Sequence, residues 1–144
     1  MTKGSFYFYF SGKDELGKET AVYFREKMYG WLDEKRRNAK SYEDFINQIV
    51  EDILNQIDEG SYYGCPFTCF ATETAPVIPK IQEECKKAVV LFEKVFVEAA
   101  KLDGISDGQA GQKGRRALAA YEGMLTCYRI AQDRRVIENM RWVL

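Results

Sequence analysis

Apolar residues recur at steps of three and four along almost the whole chain, and no stretch keeps the two-residue period of a strand. The clearest pattern runs from Phe45 to Ile57. Glu43 and Asp44 lie where the first turn of this helix would be, and negative charge favours that end of the helix dipole. Gly60 follows in a position to end it. This segment is therefore predicted to be an amphipathic helix with one face in a core.

Other segments show the same period. Ser11, with Asp14 three residues later, is predicted to cap a long helix, and Asp133 is predicted to cap the last one. The stretch 104–114 contains four glycines and is predicted to be a loop. The remaining helices are expected at about 11–37, 64–75, 79–104, 117–128 and 133–144. About six or seven helices without a strand predict an all-α bundle with no linker to a second domain.

Composition narrows the possible functions. The 144 residues suffice for about one domain, and 46% apolar with 30% charged residues is ordinary for a globular protein. A net charge of −1 gives no general attraction to nucleic acid or to an anionic membrane. No apolar run is long enough to cross a bilayer and no signal peptide is evident, so we expect a cytoplasmic protein without a membrane partner. The chain has no histidine and no strand-linked phosphate loop, so we do not expect an enzyme.

The beginning of the chain carries the most specific motif. It reads Thr-Lys-Gly-Ser-Phe-Tyr-Phe-Tyr-Phe over residues 2–10 and Ser-Gly-Lys-Asp-Glu-Leu over residues 11–16. This combination resembles the end of the DNA-binding domain of TetR-type transcriptional regulators. Residues 64–73, Gly-Cys-Pro-Phe-Thr-Cys-Phe-Ala-Thr-Glu, and residues 121–125, Tyr-Glu-Gly-Met-Leu, are similar to the regulatory domain of one TetR subgroup, with less specificity.

The resemblance implies two parts. Residues 1–13 would be a remnant of the helix-turn-helix domain that includes its recognition helix, and residues 14–144 would be the ligand-binding and dimerisation domain. The expected contacts to operator DNA are Thr2, Lys3, Ser5, Tyr7, Phe8, Tyr9 and Lys13. The two helices that precede the recognition helix in the family have no counterpart in this sequence. Phe6 and Phe10 would lose the small core they normally enter, so we expect this chain to bind operator DNA weakly or not at all.

The resemblance also implies a cavity for a small-molecule effector among the central helices. The candidates share an aromatic ring or a carboxylate on an apolar helix face, although for any single residue plain core packing is the simpler interpretation. They are Trp31, Tyr62, Tyr63, Phe67, Phe70, Glu73, Tyr121 and Tyr128. Glu122 is a further residue to follow, because a carboxylate on such a face needs a partner.

The last two helices, 114–144, are where TetR proteins form homodimers. The small residues Ala117, Ala120 and Gly123 allow a close approach of helices. The apolar residues expected at the interface are Leu118, Leu125, Tyr128, Ile137, Met140 and Val143. We therefore expect a homodimer with a two-fold symmetric interface.

Three residues at four-residue spacing, Cys65, Cys69 and Glu73, would share one helix face. This pattern is typical of a metal site or a thiol sensor, but a structural zinc site needs four ligands and histidine is absent. Small soft side chains packed between helices are the favoured alternative, so we expect no metal and no cofactor. Whether Cys65 and Cys69 have a redox role stays open.

These observations favour a ligand-responsive TetR-type transcriptional regulator, with repression as the expected mode. An effector in the cavity would shift the long first helix and so change the spacing of two recognition helices on DNA. The alternative is a stand-alone module that binds a ligand and dimerises without touching DNA.

Overall fold

The structure of the protein is a computed structural model that describes residues 8–144. Within this range the chain forms seven complete α-helices, besides the helical residues Phe8 and Tyr9, and no strand, which confirms the all-α prediction. The helices are α1 (Lys13–Asn38), α2 (Tyr42–Asp58), α3 (Pro66–Thr74), α4 (Pro79–Lys101), α5 (Asp107–Ala131), α6 (Arg134–Glu138) and α7 (Met140–Val143). None of these helices combines the length and the apolar character needed to cross a bilayer.

Most helix ends follow from local chemistry. The Ser41 hydroxyl accepts a 3.1 Å hydrogen bond from the amide of Asp44 and so caps α2. Asp133 caps α6 in the same way, as predicted, by accepting from the amide of Arg135. The predicted Ser11 cap is wrong, because α1 begins after an extended Gly12 and has no side-chain cap. Its first-turn acids, which include Asp14, act through the helix dipole instead.

The glycine-rich stretch predicted as a loop is mostly helix. Ser106 and Gln109 form a reciprocal capping box, so α5 begins at Asp107 and runs through the remaining glycines. Gly114 lies against α4, where an added Cβ atom would come within 2.5 Å of a Val97 methyl and 2.7 Å of its backbone nitrogen. This glycine therefore marks a close approach of two helices rather than a turn.

The core is built around α4, which packs along much of both α1 and α5. Helix α3 contacts α1 and α4, while α6 and α7 pack on α2 and α5. Aromatic rings connect these layers: Phe96 of α4 meets Phe45 of α2 at 5.4 Å and Tyr121 of α5 at 5.5 Å between ring centroids. The predicted last helix is divided into two at Asn139, and Ile137 and Met140 on either side of the break are fully buried.

One ion cluster fixes α1 to α4. Glu84 of α4 is 7% exposed, and its carboxylate pairs with the guanidinium of Arg25 on α1 and with Lys87 at 2.8 Å. Two turns towards the start of α1, Gly17 allows the Ile81 side chain of α4 to approach closely, since an added Cβ atom would come within 2.6 Å of it. The first half of α1 is therefore held firmly along α4.

Candidate functional site

A cavity of about 390 Å³ lies between α1, α2, the link before α3 and the middle of α5. Its volume is within the usual range for small-molecule sites. No charged side chain contributes to its wall, which combines aromatic rings with small polar groups. The lining residues are Met28, Trp31, Ile53, Gln56, Ser61, Tyr62, Tyr63, Gly64, Cys65, Pro66 and Tyr121.

The link between α2 and α3 is shaped by two glycines. Gly60 and Gly64 have φ angles of +69° and +105°, a backbone region that residues with a side chain rarely adopt. Between them the Ser61 amide donates to the Gln56 carbonyl at 2.9 Å, which closes the end of α2. These turns direct Tyr62 inward, whereas Tyr63 stays 72% exposed at the cavity rim.

Trp31 is held in the wall by polar contacts on its outer side. Its indole N–H donates to the Asp52 carboxylate, which also pairs with the Lys35 ammonium at 3.0 Å. The Lys35 Nζ atom lies 5.9 Å from the centroid of the Trp31 ring. Helix α1 is thereby tied to α2 beside the cavity, and the indole orientation is fixed without a contact to a ligand.

A carboxylate lies close to three residues of the wall. Glu122 on α5 is half-buried and accepts a hydrogen bond from the Thr68 hydroxyl of α3, and burial raises the pKa of Glu122. Burial, followed by the nearby Glu122 charge, raises the pKa of the Cys65 thiol to about 11. Burial is also the main reason why the pKa values of Tyr62 and Tyr121 are raised, and Glu122 adds to both. At neutral pH these three lining groups therefore carry their protons.

Comparison with known proteins identifies the family. The model of the LmrA/YxaF-like transcriptional regulator C-terminal domain, a TetR-type domain, matches residues 40–141, which is more than half of the chain. This chain belongs to the TetR family of transcriptional regulators. TetR proteins are regulators rather than enzymes.

A TetR-type relative is found among curated proteins. The chain is 26% identical over 123 residues to the uncharacterized HTH-type transcriptional regulator YxaF of Bacillus subtilis strain 168. The match covers 84% of this chain and 64% of the relative, so the chain spans less than two thirds of that protein. No solved structure matches the chain significantly.

The structure brings four of the eight expected pocket residues of this TetR chain into the cavity wall: Trp31, Tyr62, Tyr63 and Tyr121. The other seven lining residues were not among the pocket candidates from the sequence; they are Met28, Ile53, Gln56, Ser61, Gly64, Cys65 and Pro66. Of these residues, Met28 is the one that the sequence indicates as a lining residue, because it precedes Trp31 by three positions and so shares its helix face.

The other four expected pocket residues lie elsewhere. Phe67 packs edge-on against Phe92 at 5.1 Å, and Phe70 packs against Phe24 at 5.8 Å. Tyr128 is buried behind Tyr62, with ring centroids 5.6 Å apart. Glu73 is exposed to solvent and takes no part in the wall. These side chains therefore lie in the core or at the protein surface and do not line the cavity.

The cysteine pattern on α3 does not converge on a metal. Cys65 is buried whereas Glu73, two turns later, is exposed. Among residues 8–144 no group of three or more potential ligands is arranged to hold a metal ion. Since a thiol with a raised pKa is a weak nucleophile at neutral pH, the environment of Cys65 favours packing over thiol chemistry.

Five of the six residues expected at the TetR dimer interface are buried within the protomer. Of these five, Leu118 is the most exposed at 8%, whereas Val143, the sixth residue, is 57% exposed. The other four are Leu125, Tyr128, Ile137 and Met140. Trp142, which precedes Val143 in the chain, is 86% exposed, and Ile130 near the end of α5 is 80% exposed. The apolar stripe that the sequence shows thus belongs to the protomer's own core, and a separate set of residues faces outward.

The expected DNA contacts fall at the edge of the described range. Thr2, Lys3, Ser5 and Tyr7 lie outside the described residues. Phe8 and Tyr9 are helical, with exposures of 82% and 69%, and their rings meet at 5.1 Å. Lys13 is the exposed first residue of α1.

Proposed function

We propose that this TetR-family chain comprises the effector-binding and dimerisation part of a transcriptional repressor, residues 14–144, preceded by part of its DNA-reading domain. The cavity is the observation that carries this proposal, because α1 contributes Met28 and Trp31 to its wall. The same helix runs without interruption from Lys13 to Asn38. By family resemblance, its first turn adjoins the recognition helix.

The proposed mechanism is a shift between two positions of α1. A ligand in the cavity contacts the second half of α1 and would shift this continuous helix together with α4, to which Arg25 holds its first half. The recognition helices of a dimer must match half-sites about 34–36 Å apart, so a small rotation of α1 in each subunit favours release from DNA. We place this activity in the cytoplasm, where a bacterial regulator meets its operator.

The effector part of the proposal is tested by blocking the cavity. Met28→Trp places a bulky ring in the wall, and the matched control Met124→Trp alters a half-buried methionine of α5 that does not line the cavity. In a thermal-shift screen of small aromatic compounds, we expect hits that raise the Tm of the wild type and of the control but not of the blocked variant. Hits that stabilise all three proteins equally would contradict a site in this cavity.

The homodimer is proposed to form through the outward face of α5 and α7. Ile130, Trp142 and Val143 supply exposed apolar surface, and nothing lies within 4 Å of a Cβ atom added at Gly123. Light scattering at micromolar concentration should give twice the protomer mass, and Trp142→Glu should give the protomer mass. Val90→Glu on α4, which is also an exposed apolar position, serves as the control and should remain a dimer. A wild-type monomer would defeat this part of the proposal.

Weak operator binding by the 144-residue chain stays a prediction. A gel shift at moderate salt, with DNA from the promoter region of its own gene, should show no sequence-selective complex. Tight and selective binding would contradict this prediction while leaving the effector cavity and the dimer untouched.

A further inference from the structure

Within residues 8–144, polar side-chain contacts join helix α1 to the other helices at two carboxylates. Glu84 of α4 pairs with Arg25 in the first half of α1, and neither residue lines the cavity. Asp52 of α2 serves the second half of α1 and bonds directly to Trp31 of the cavity wall. The contact between α1 and α2 is therefore the one of the two that a ligand reaches.

One oxygen atom of Asp52 makes both contacts to the second half of α1. Its Oδ2 atom accepts from the indole N–H of Trp31 and lies 3.0 Å from Nζ of Lys35. Trp31 and Lys35 are four residues apart and so lie on one face of α1. The side chains of Lys35 and Asp52 are 19% and 34% exposed, so water and salt screen their attraction less than they screen an open surface pair.

Asp52 also decides what Trp31 offers to a ligand. The indole N–H is donated to the carboxylate and is therefore not available to an acceptor in the cavity. Without this bond the indole would gain rotational freedom, and a wall that must be ordered on binding lowers the affinity. Asp52 and Lys35 do not line the cavity, so their effect on a ligand is exerted through Trp31.

The proposed shift of α1 crosses the same contact. Because Arg25 and Glu84 join α1 to α4, the two helices move together and the displacement occurs relative to α2. The Trp31 hydrogen bond and the Lys35 ion pair both cross this boundary and end on Asp52. A ligand that favours one orientation of the indole therefore favours one arrangement of α1 on α2.

We infer that Asp52 is a positioning residue of the effector site: it orients Trp31 in the cavity wall and couples occupation of the cavity to the contact between α1 and α2. This inference rests on the proposed function. It assigns Asp52 no contact with the ligand itself.

The experiment follows Trp31 by fluorescence in the full chain carrying Trp142→Phe, where Trp31 is the remaining tryptophan of the two. Asp52→Ala removes the acceptor and the ion pair, whereas Asp52→Asn keeps an acceptor oxygen for the indole. Asp58→Asn is the matched control, because it lies on the same helix and loses an ion pair to Arg134 away from the cavity wall. The probe is N-phenyl-1-naphthylamine, an uncharged aromatic dye that accepts excitation energy from tryptophan and brightens in apolar sites.

Without the dye, quenching by acrylamide reports the freedom of the Trp31 indole. We expect a larger quenching constant in Asp52→Ala, with values close to the wild type in Asp52→Asn and Asp58→Asn. An unchanged constant in Asp52→Ala would overturn the inference, whatever the dye does.

With the dye, we expect Asp52→Ala to lose about tenfold in affinity, Asp52→Asn to lose less and Asp58→Asn to lose nothing. Equal losses in Asp52→Ala and Asp58→Asn would overturn the inference, because they would reflect a general weakening of α2. A loss in Asp52→Asn as large as in Asp52→Ala would overturn it as well, since the acceptor would then be irrelevant. If the wild type shows no energy transfer to the dye, the cavity as an effector site fails and the inference fails with it.

A double-mutant cycle separates positioning from a merely structural role. In a Trp31→Phe background, measured by the emission of the dye itself, Asp52→Ala should cause no further loss of affinity because it acts through the indole. The same tenfold loss in that background would overturn the inference. Circular dichroism melting checks that each variant is folded, and Lys35→Met, which breaks the ion pair alone, replaces Asp52→Ala in the cycle if that variant is not.

Discussion

Two acidic residues on neighbouring helices have opposite surroundings. Glu84 on α4 is enclosed by Arg25 and Lys87, and hydrogen bonding from Lys87, helped by Arg25, lowers the pKa of Glu84. Glu122 on α5 has Thr68 as its hydrogen-bond partner, and burial raises the pKa of Glu122. A charge that is paired inside the protein stabilises the fold, whereas a carboxyl that is buried without a counter-charge favours its protonated form.

The same contrast divides α1 into two halves. Its first half is fixed to α4 by Arg25 and by the close approach at Gly17. Its second half contributes Met28 and Trp31 to the wall of the cavity. The helix therefore connects a firmly packed contact to the wall of the cavity, which is the arrangement that the proposed ligand-controlled shift of α1 requires.

The largest expected effect comes from removing the cation at the paired site. Arg25→Ala leaves Glu84 buried with Lys87 as its remaining counter-charge, and we expect a loss of roughly 2–4 kcal/mol in the free energy of unfolding. Urea unfolding at pH 7 measures it. The control is Arg115→Ala, whose side chain is 63% exposed and lies 3.5 Å from Glu93; it should change stability by less than about 0.5 kcal/mol. Equal effects would show that the Glu84 cluster does not stabilise the contact between α1 and α4.

Glu84→Gln should destabilise the protein by about 1–2 kcal/mol at neutral pH, because Arg25 loses a charged partner. The lowered pKa fixes the sign of the pH dependence. The contribution of Glu84 is present above the carboxyl pKa of the unfolded chain, near 4.5, and is lost as the pH falls through the lower folded-state pKa. The difference between wild type and variant should therefore shrink on acidification, and urea unfolding between pH 3 and pH 7 checks this. A difference that grows on acidification would contradict it.

Glu122→Gln should show the opposite sign and a smaller size. Because the folded-state pKa of Glu122 is raised, the wild type is favoured below the unfolded value near 4.5 and loses that advantage as the pH rises through the folded-state pKa. The variant should gain about 1 kcal/mol over the wild type between pH 4 and pH 8. The measurement is again urea unfolding, now without ligand. A variant that is less stable than the wild type at pH 8 would indicate a structural role for Glu122.

The smallest effect on stability is expected for Tyr121→Phe. Within residues 8–144 the hydroxyl has no hydrogen-bond partner, so removing it should change the free energy of unfolding by less than about 0.5 kcal/mol. Phe96→Leu, which alters a fully buried ring in contact with Tyr121, is a contrasting core variant and should cost more. Thermal unfolding of both variants tests this, and a large loss for Tyr121→Phe would show that its hydroxyl holds the fold together.

The sequence predicted those features of the fold that depend on near neighbours. The periodic apolar face of α2, the stop at Gly60 and the cap at Asp133 are set by residues within a turn or two of one another. Gly114 shows the limit of this reasoning. In the sequence it looks like part of a loop, and the reason for its glycine, the backbone of Val97 on another helix, is visible only after folding.

The sequence predicted only part of the candidate site, because the rest depends on contacts between distant residues. An aromatic residue is suited both to a core and to a cavity wall, so the sequence could not separate Tyr121 from Phe67 or Tyr62 from Tyr128. The dimer candidates show the same ambiguity, because an apolar stripe on a helix serves its own core before it serves a partner. Trp142 and Ile130 do face outward. Neither residue stands out in the apolar periodicity of its helix, so the sequence did not mark them as exposed.

The sequence by itself determined the all-α class, most helix positions and the TetR resemblance, since these depend on short-range spacing and on motifs. The tertiary structure alone decided which aromatic residues enclose a cavity, which apolar residues stay exposed, and why Glu84 is paired while Glu122 is not. Burial and charge compensation are set by residues far apart in the chain, 59 positions for Arg25 and Glu84 and 54 for Thr68 and Glu122, and such distances leave no local pattern to read.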